Sequence, residues 1–186
     1  MNDECLICGA PLEYLETGES MECAICHKKE QSKTRCVKGH YVCSECHTKG
    51  MDAIIDGGTM KELKGLTTED CEAIYSVGLN AYKVGSYEDA DTVFRYLVLL
   101  DHLCPKYWIA LGAVQQMRRD FQKAVSSYGY ASFLDLENPK PQYHAAECFL
   151  ALGDKENAKS ALAALDMYAP KDSPYREKAK KLSERL

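Results

Sequence analysis

The sequence lacks the features that mark several large classes of protein. No apolar run approaches the ~18 residues of a membrane-spanning helix, and the first ten residues, MNDECLICGA, have neither the basic nor the apolar segment of a signal peptide. Basic residues are not in excess, because 23 Lys and Arg stand against 28 Asp and Glu, which argues against nucleic-acid binding. Nucleotide-binding loops, a Ser-His-Asp order and paired catalytic carboxylates are also missing. We therefore expect a cytoplasmic protein that is not an enzyme, binds no nucleic acid and does not insert stably into membranes.

Cysteine is scarce in most of the chain but concentrated at its start. Of the ten cysteines, seven lie in the first 46 residues. A reducing cytoplasm makes such a cluster more typical of metal binding than of a disulfide framework. The asymmetry predicts a cysteine-rich zinc-binding domain at 1–50, followed by a helical arm at 51–70 and a different kind of body.

The spacing of these cysteines predicts zinc ligands. Each C-x2-C pair lets two thiolates hold one tetrahedral zinc ion from a tight turn, and two such pairs complete a site. A Cys-x3-His pair joins three C-x2-C pairs here, which gives eight ligands and fills two closed sites. Closed sites of this kind are structural, since a catalytic zinc keeps an open position. The eight predicted ligands are Cys5, Cys8, Cys23, Cys26, Cys36, His40, Cys43 and Cys46.

The spacing leaves the pairing of the ligands open. Sequential pairing, which we favour slightly, takes the first four ligands for one ion and the last four for the other. Cross-braced pairing instead forms the sites Cys23/Cys26/Cys43/Cys46 and Cys5/Cys8/Cys36/His40. We expect His27 and His47, each directly after a ligand, to lie beside the sites or in solvent.

Two resemblances concern this region. From Cys23 onward the pattern resembles the first six ligands of a RING finger, but the final C-x2-C is missing, so a half-RING-like or zinc-ribbon domain is the expectation. The string CLICGAPLEYLETGESMECAICHKKE…TRCVKGHYVCSECH also resembles an uncharacterised cysteine-rich domain of methanogens and other anaerobes, over residues 4 to about 54. That resemblance implies no activity. Iron in place of zinc, in an electron carrier, is an alternative.

The body repeats itself every 34 residues, the length of a tetratricopeptide (TPR) unit. Three units are predicted at 71–104, 105–138 and 139–170. The eighth position of each is small and the twenty-fourth is large, as expected where two antiparallel helices approach closely. These pairs are Gly78 with Phe94, Gly112 with Tyr128, and Ala146 with Leu162. The predicted fold is mainly α, an α-solenoid of three TPR repeats that ends in a capping helix at 171–186, with Ser173 as its N-cap.

A TPR solenoid binds extended or helical peptides on the concave face, which the first helix of each unit lines. The lining predicted here is aromatic and aliphatic, which suits apolar anchors. It comprises Tyr75, Leu79, Tyr82, Lys83, Ile109, Ala113, Gln116, Tyr143 and Leu150. Alternatively, Tyr75 and Tyr82 belong to the core between repeats. His144 and Cys148, four residues apart on one helix, are interpreted as ordinary repeat residues.

The residues from about 52 to 170 closely resemble class II chaperones of bacterial type III secretion (the SycD/LcrH type). The motifs are the G-G-T-x-K-x-L lead-in, IYSVGLNAY, VFRYLVLLDH and HAAEC. The resemblance implies a chaperone that keeps hydrophobic translocator proteins soluble by capturing a P-x-L-x-x-P-type segment, and that forms homodimers. It implies a peptide groove formed by Tyr75, Leu79, Tyr82, Phe94, Leu97 and His102.

The zinc-binding region departs from that family, whose members begin with a short helical or disordered arm. The chain is thus a natural or an engineered fusion. The alternative function is a TPR scaffold or adaptor whose zinc-binding, RING-like module is an interaction domain.

Overall fold

The computed structural model describes residues 11–24, 26–46, 48 and 57–186, and the chain divides into two compact units between Thr67 and Thr68. The first unit contains an antiparallel hairpin of β1 (Leu12–Glu22) and β2 (Lys29–Cys36). Leu12 lies opposite Cys36 and Glu22 opposite Lys29, with a bulge between Tyr14 and Glu19. Few of the strand side chains are buried, so the hairpin has no apolar face of its own. Sequence analysis did not predict these strands.

The first unit also contains the short helix α1 (Met60–Leu63). Its N-terminus is closed by a capping box, in which the backbone N–H of Thr59 donates to Oε2 of Glu62 at 3.0 Å. Residues 51–56, which belong to the predicted helical arm, lie outside the described residues.

The second unit consists of three antiparallel helix pairs and a final helix, each packed on its neighbour in chain order. The pairs are α2 (Thr68–Lys83) with α3 (Tyr87–Leu100), α4 (Pro105–Met117) with α5 (Phe121–Leu134), and α6 (Pro139–Ala151) with α7 (Lys155–Tyr168), followed by α8 (Pro174–Ser183). Within the described ranges, none of the helices has the length and apolar character needed to cross a bilayer.

Proline and side-chain caps determine where several helices begin. Pro105, Pro139 and Pro174 each occupy the first turn, where the missing N–H costs nothing and the fixed φ suits a helix. Ser173 caps α8 by accepting a hydrogen bond from the N–H of Tyr175 at 3.3 Å, as predicted. The end helix is therefore positioned by its own local sequence.

The small and large residues of the repeat meet as their spacing predicts. A Cβ atom added at Gly78 would lie 2.8 Å from the ring of Phe94, and one at Gly112 would lie 2.8 Å from the ring of Tyr128. Contacts shorter than 3.0 Å are not tolerated by packed atoms. In each of these two pairs, the aromatic ring therefore occupies the space that the glycine leaves open.

Apolar clusters pack neighbouring repeats of the second unit against one another. Tyr128 of the second repeat packs with Ala145 and Cys148 of the third repeat. In turn, Leu162 and Leu165 pack with Leu182 of α8. The second and third helix pairs thus each have an apolar face covered by the next element, as solenoid stacking requires.

Candidate functional site

Four cysteine thiols converge in the first unit. Their Sγ atoms all lie within 4.8 Å of one another, and those of Cys26 and Cys43 are 3.7 Å apart. A tetrahedral zinc ion with Zn–S bonds of about 2.3 Å places its sulfurs roughly 3.8 Å apart. The set Cys23, Cys26, Cys43 and Cys46 therefore matches the size and composition of a four-thiolate metal site.

The hairpin explains why these four come together. Cys23 and Cys26 lie in the connection between β1 and β2. After β2 the chain turns and runs back, so that the N–H of Ala24 donates to the carbonyl of Tyr41 at 2.8 Å. This return places Cys43 and Cys46 over the first pair. It brings together the four cysteines that cross-braced pairing assigns to one ion, and so favours that pairing over the sequential one. Spacing along the chain does not reveal this return of the chain past the hairpin.

Backbone hydrogen bonds to sulfur favour a metal at this cluster, in which Cys23 and Cys43 are buried, Cys46 is half-buried and Cys26 is exposed. The N–H of Cys43 donates to Sγ of Cys23, and that of Cys46 donates to Sγ of Cys43, each at 3.4 Å. Such bonds stabilise sulfur that carries negative charge. In the apoprotein, burial and the neighbouring thiols raise the pKa of Cys46. A bound cation would instead favour the thiolate form, because metal ligation requires deprotonated cysteine and offsets its charge.

The other predicted ligands are placed only in part. Cys36 is buried, and its Sγ accepts a hydrogen bond from the N–H of Lys38 at 3.3 Å. The chain then turns through Gly39, at φ 84°, and the carbonyl of His40 accepts from the N–H of Cys36. Cys36 and His40 thus flank one tight turn. Their predicted partners, Cys5 and Cys8, lie outside the described residues.

Two histidines of this region and the cysteines of the repeats were not predicted to be metal ligands. His27 is exposed, and its Nδ1 lies 3.1 Å from Glu22, while His47 lies outside the described residues. The described cysteines are all free thiols. Cys148 is fully buried in the apolar cluster around Tyr128, which agrees with its interpretation as an ordinary repeat residue.

The second candidate site is the concave face at its N-terminal end, on α2. Tyr75, Leu79 and Tyr82 are half-buried there. The ring of Tyr75 lies 5.4 Å from that of Phe94 and 6.1 Å from that of Tyr107. Burial raises the pKa of both tyrosines on α2, so their phenols stay neutral. These rings offer an apolar surface with polar edges.

A charged pair covers part of this surface. Nζ of Lys106 lies 4.0 Å from the centre of the Tyr75 ring and 2.6 Å from Oε2 of Glu72. Both charged groups are exposed, so the ion pair contributes at most about 1 kcal/mol. An apolar segment that binds the Tyr75 ring would displace Lys106 at little cost.

The other three groove residues lie elsewhere. Phe94 and Leu97 are buried, with 2% and 0% exposure, so they support the face from behind. His102 follows α3, and its carbonyl accepts a hydrogen bond from the indole N–H of Trp108 at 2.8 Å. The structure therefore brings Phe94 to Tyr75 but shows no direct peptide surface for Phe94 or Leu97.

Sequence reasoning missed a polar network at the other end of the repeats. Oε2 of Glu147 accepts from Nε2 of Gln116 at 3.3 Å and lies 2.9 Å from Nδ1 of His144. The hydroxyl of Tyr128 donates to Oε1 of Gln116 at 2.9 Å. The sequence did contain one indication of this network: Glu147 follows His144 by three residues, which places both on the same helix face.

Known proteins resemble the repeats in both sequence and fold. The tetratricopeptide repeat family model matches residues 105–138, which are the second of the three predicted repeats. Low calcium response locus protein H of Yersinia pestis is 34% identical over 132 residues, which cover 71% of this chain and 75% of that protein. The Yersinia enterocolitica type III secretion translocator chaperone SycD matches with a TM-score of 0.62 and 33% identity, over 69% of this chain and 96% of SycD. SycD in complex with a peptide of the translocator YopD matches with a TM-score of 0.60 and 31% identity, over 64% and 93% of the two chains.

The fold and these likenesses together define the class: the chain belongs to the class II chaperones of type III secretion, the SycD/LcrH family. This confirms the family resemblance of the repeats, the mainly helical fold and the prediction of a chaperone instead of an enzyme. The resemblance of residues 4–54 to a domain of methanogens stays a prediction.

Proposed function

We propose that this protein is a cytoplasmic chaperone that keeps hydrophobic type III translocator proteins soluble by binding an apolar segment of them on its concave face. The observation that carries the proposal is the likeness to SycD, which matches over 96% of its length and has been solved in complex with a peptide of the translocator YopD.

The concave face suits a segment of the P-x-L-x-x-P type. Tyr75 and Tyr82 present half-buried rings on which proline and leucine pack well. Extended proline-rich segments lose little entropy on binding. Leu79 lies between the two tyrosines along α2, at one turn from each. Phe94 and Leu97 would act by holding α2 in place, and His102 by closing the turn behind it.

Calorimetry with a P-x-L-x-x-P peptide tests this proposal. Truncated aromatic anchors cost about 2 kcal/mol or more each at protein interfaces, so Tyr75→Ala with Tyr82→Ala should weaken binding by roughly several hundredfold or more. The matched control is Tyr96→Ala with Tyr168→Ala, since both tyrosines are exposed, at 41% and 45%, on other helices. Equal binding by the two double variants would favour the scaffold alternative.

We also propose that the first unit binds two zinc ions. Cys23, Cys26, Cys43 and Cys46 would hold one ion, and Cys5, Cys8, Cys36 and His40 the other. The support is the four-thiol cluster and the hairpin, whose connection contains two of its cysteines. Two-stranded hairpins are marginally stable in water, and this one has almost no buried side chains on its strands. A structural metal would supply the missing stability.

A homodimer is part of the same proposal. SycD has been crystallised as an alternative dimer, and most soluble oligomers are symmetric homo-oligomers, most often dimers. Light scattering on the full chain measures its mass, for which the monomer is 20.8 kDa.

A further inference from the structure

The repeats contain a cavity that none of the six predicted groove residues lines. Its volume is about 350 Å³, and it lies where α4, the start of α5, α6 and the end of α8 come together. Its walls combine apolar and polar side chains, among them Phe121, Leu150, Leu182, Gln116, Glu147 and Arg185. Gln116 and Leu150 also belong to the predicted concave lining, so the cavity continues the peptide-binding face toward its C-terminal end.

Glu147 supplies a fixed negative charge to this cavity. Its side chain is 33% exposed, and burial by itself would raise the pKa of its carboxyl group. Hydrogen bonds from His144 and Gln116 outweigh burial, and the pKa of Glu147 is lowered. The group is therefore a carboxylate at neutral pH. Among the described residues, no lysine or arginine forms an ion pair with it.

The carboxylate is held in place by its neighbours. Tyr128 is buried, and burial raises the pKa of its phenol, so it remains a donor to Oε1 of Gln116. With its oxygen occupied, the Gln116 amide directs its NH2 group at Glu147. A preorganised acceptor of this kind loses little freedom when it binds a ligand.

The walls and the charge together select the ligand. A long basic side chain can place its aliphatic part on Leu150 and Phe121 and its charged end on Glu147. An apolar side chain would fill the cavity but strip water from the carboxylate without replacing its hydrogen bonds. Arg185 is exposed and lies just beyond α8, so water screens its repulsion of a bound cation.

We propose that this cavity binds a lysine or arginine side chain of the client segment, a step that rests on the proposed function. Packed helices lie about 8–10 Å apart, so α6 is roughly 16–20 Å from α2. An extended chain covers about 3.3 Å per residue. The basic residue therefore lies roughly five or six positions from the apolar anchor that contacts Tyr75 and Tyr82.

A peptide series tests the proposal. The P-x-L-x-x-P peptide is extended in either direction, with lysine, arginine, norleucine or glutamate five or six positions from the anchor. Binding to the full chain is measured by fluorescence anisotropy. A hydrogen-bonded charge contributes about tenfold in affinity, so one of the lysine or arginine peptides should bind about tenfold more tightly than its norleucine counterpart, and the glutamate peptide should bind most weakly.

Two variants assign that gain to the cavity. In Glu147→Gln the ratio of lysine to norleucine affinities should fall to about one. Glu156→Gln, which removes an exposed carboxylate on α7, is the matched control and should keep the tenfold ratio. A ratio near one in the wild type, or a full ratio in Glu147→Gln, would overturn the proposal.

A separate probe distinguishes an error in the proposed cation pocket, which is the cavity at Glu147, from an error in the proposed peptide-binding groove. n-Butylguanidinium should shift the NMR signals of the Gln116 side-chain NH2 in the wild type and leave them unchanged in Glu147→Gln, while n-butanol should have little effect. If no peptide binds but the guanidinium shift is seen, the proposed function is wrong and the cation pocket stands. If peptides bind without a basic preference, the pocket is wrong and the function stands. If both fail, both are wrong.

Discussion

At the scale of single residues, two glycines of the repeats pack directly against aromatic rings. Gly112 faces Tyr128 across α4 and α5, and Tyr128 is 1% exposed. Tyr128 also contacts the next unit and positions Gln116. One glycine thus makes room for a ring that packs in the core and also holds Gln116, which lines the cavity.

Gly112→Ala should therefore destabilise the repeats. The added methyl group would lie 2.8 Å from Cδ1 of the buried Tyr128 ring, and overpacking of this kind costs about 1–3 kcal/mol. Gly129→Ala is the matched control, because no atom lies within 4 Å of the added Cβ and alanine favours a helix by up to about 1 kcal/mol over glycine. Urea denaturation followed by circular dichroism measures both. Equal stability of the two variants would show that the ring can move aside.

Residue roles were predictable where a repeat position demands one side-chain size. The pairs Gly78–Phe94 and Gly112–Tyr128 follow from the 34-residue period alone. Burial of Leu97 and the partnership of Glu147 with Gln116 do not, because they depend on how adjacent helices rotate about their axes. The 34-residue period gives the position of a residue along its helix, but it does not determine which side chain of the next repeat that residue contacts.

At the scale of helices, a buried carboxylate links the first two helix pairs of the repeats. The side chain of Asp91 on α3 is 7% exposed, and its Oδ2 lies 3.3 Å from Arg118, the residue that follows α4. It lies 2.6 Å from Arg95, one turn along its own helix. A nearly buried charge requires a partner, so these two arginines are not equivalent: only Arg118 joins different helix pairs.

We expect Arg118→Met to lower the free energy of unfolding by about 1–2 kcal/mol, since it removes a half-buried partner of a buried charge. Arg95→Met should cost about 0.5 kcal/mol or less, because Arg95 is 52% exposed and the pair is an i,i+4 contact on one helix. Methionine keeps the apolar volume in both. Chemical denaturation of the two variants makes the comparison, and a larger loss in Arg95→Met would contradict the assignment of Arg118 as the link.

Helix boundaries were more predictable than the fold of the cysteine-rich region. Pro105, Pro139 and Ser173 mark their helix starts through local chemistry that needs no distant partner. The β1–β2 hairpin is formed by polar strands without a clear alternation of apolar residues, so no local sequence pattern predicted it. Its register in turn decides which cysteines meet, and for that reason the spacing left both pairings open.

At the scale of the whole molecule, the two units are stabilised by different means. The repeats bury large side chains such as Phe94, Tyr128 and Leu165, the last two within apolar clusters. The described part of the first unit buries mainly the cysteines Cys23, Cys36 and Cys43, with Met21, Thr59 and Met60. Small domains without a sufficient core commonly depend on a metal. Loss of metal should therefore affect one unit and leave the other folded.

We expect two zinc ions per chain by elemental analysis, and one fewer in Cys26→Ser. Zinc contributes about 10–16 kcal/mol of binding free energy in small zinc domains, so a strong chelator should unfold the hairpin. Residues 11–46 should then become sensitive to protease, while the helical circular dichroism and its melting temperature stay close to those of the untreated protein. Cys104→Ser, whose thiol lies in the repeats, is the control and should keep both ions. A fall of the helical melting temperature on chelation would show instead that the repeats depend on the metal, and an unchanged protease pattern would show that the hairpin is stable without it.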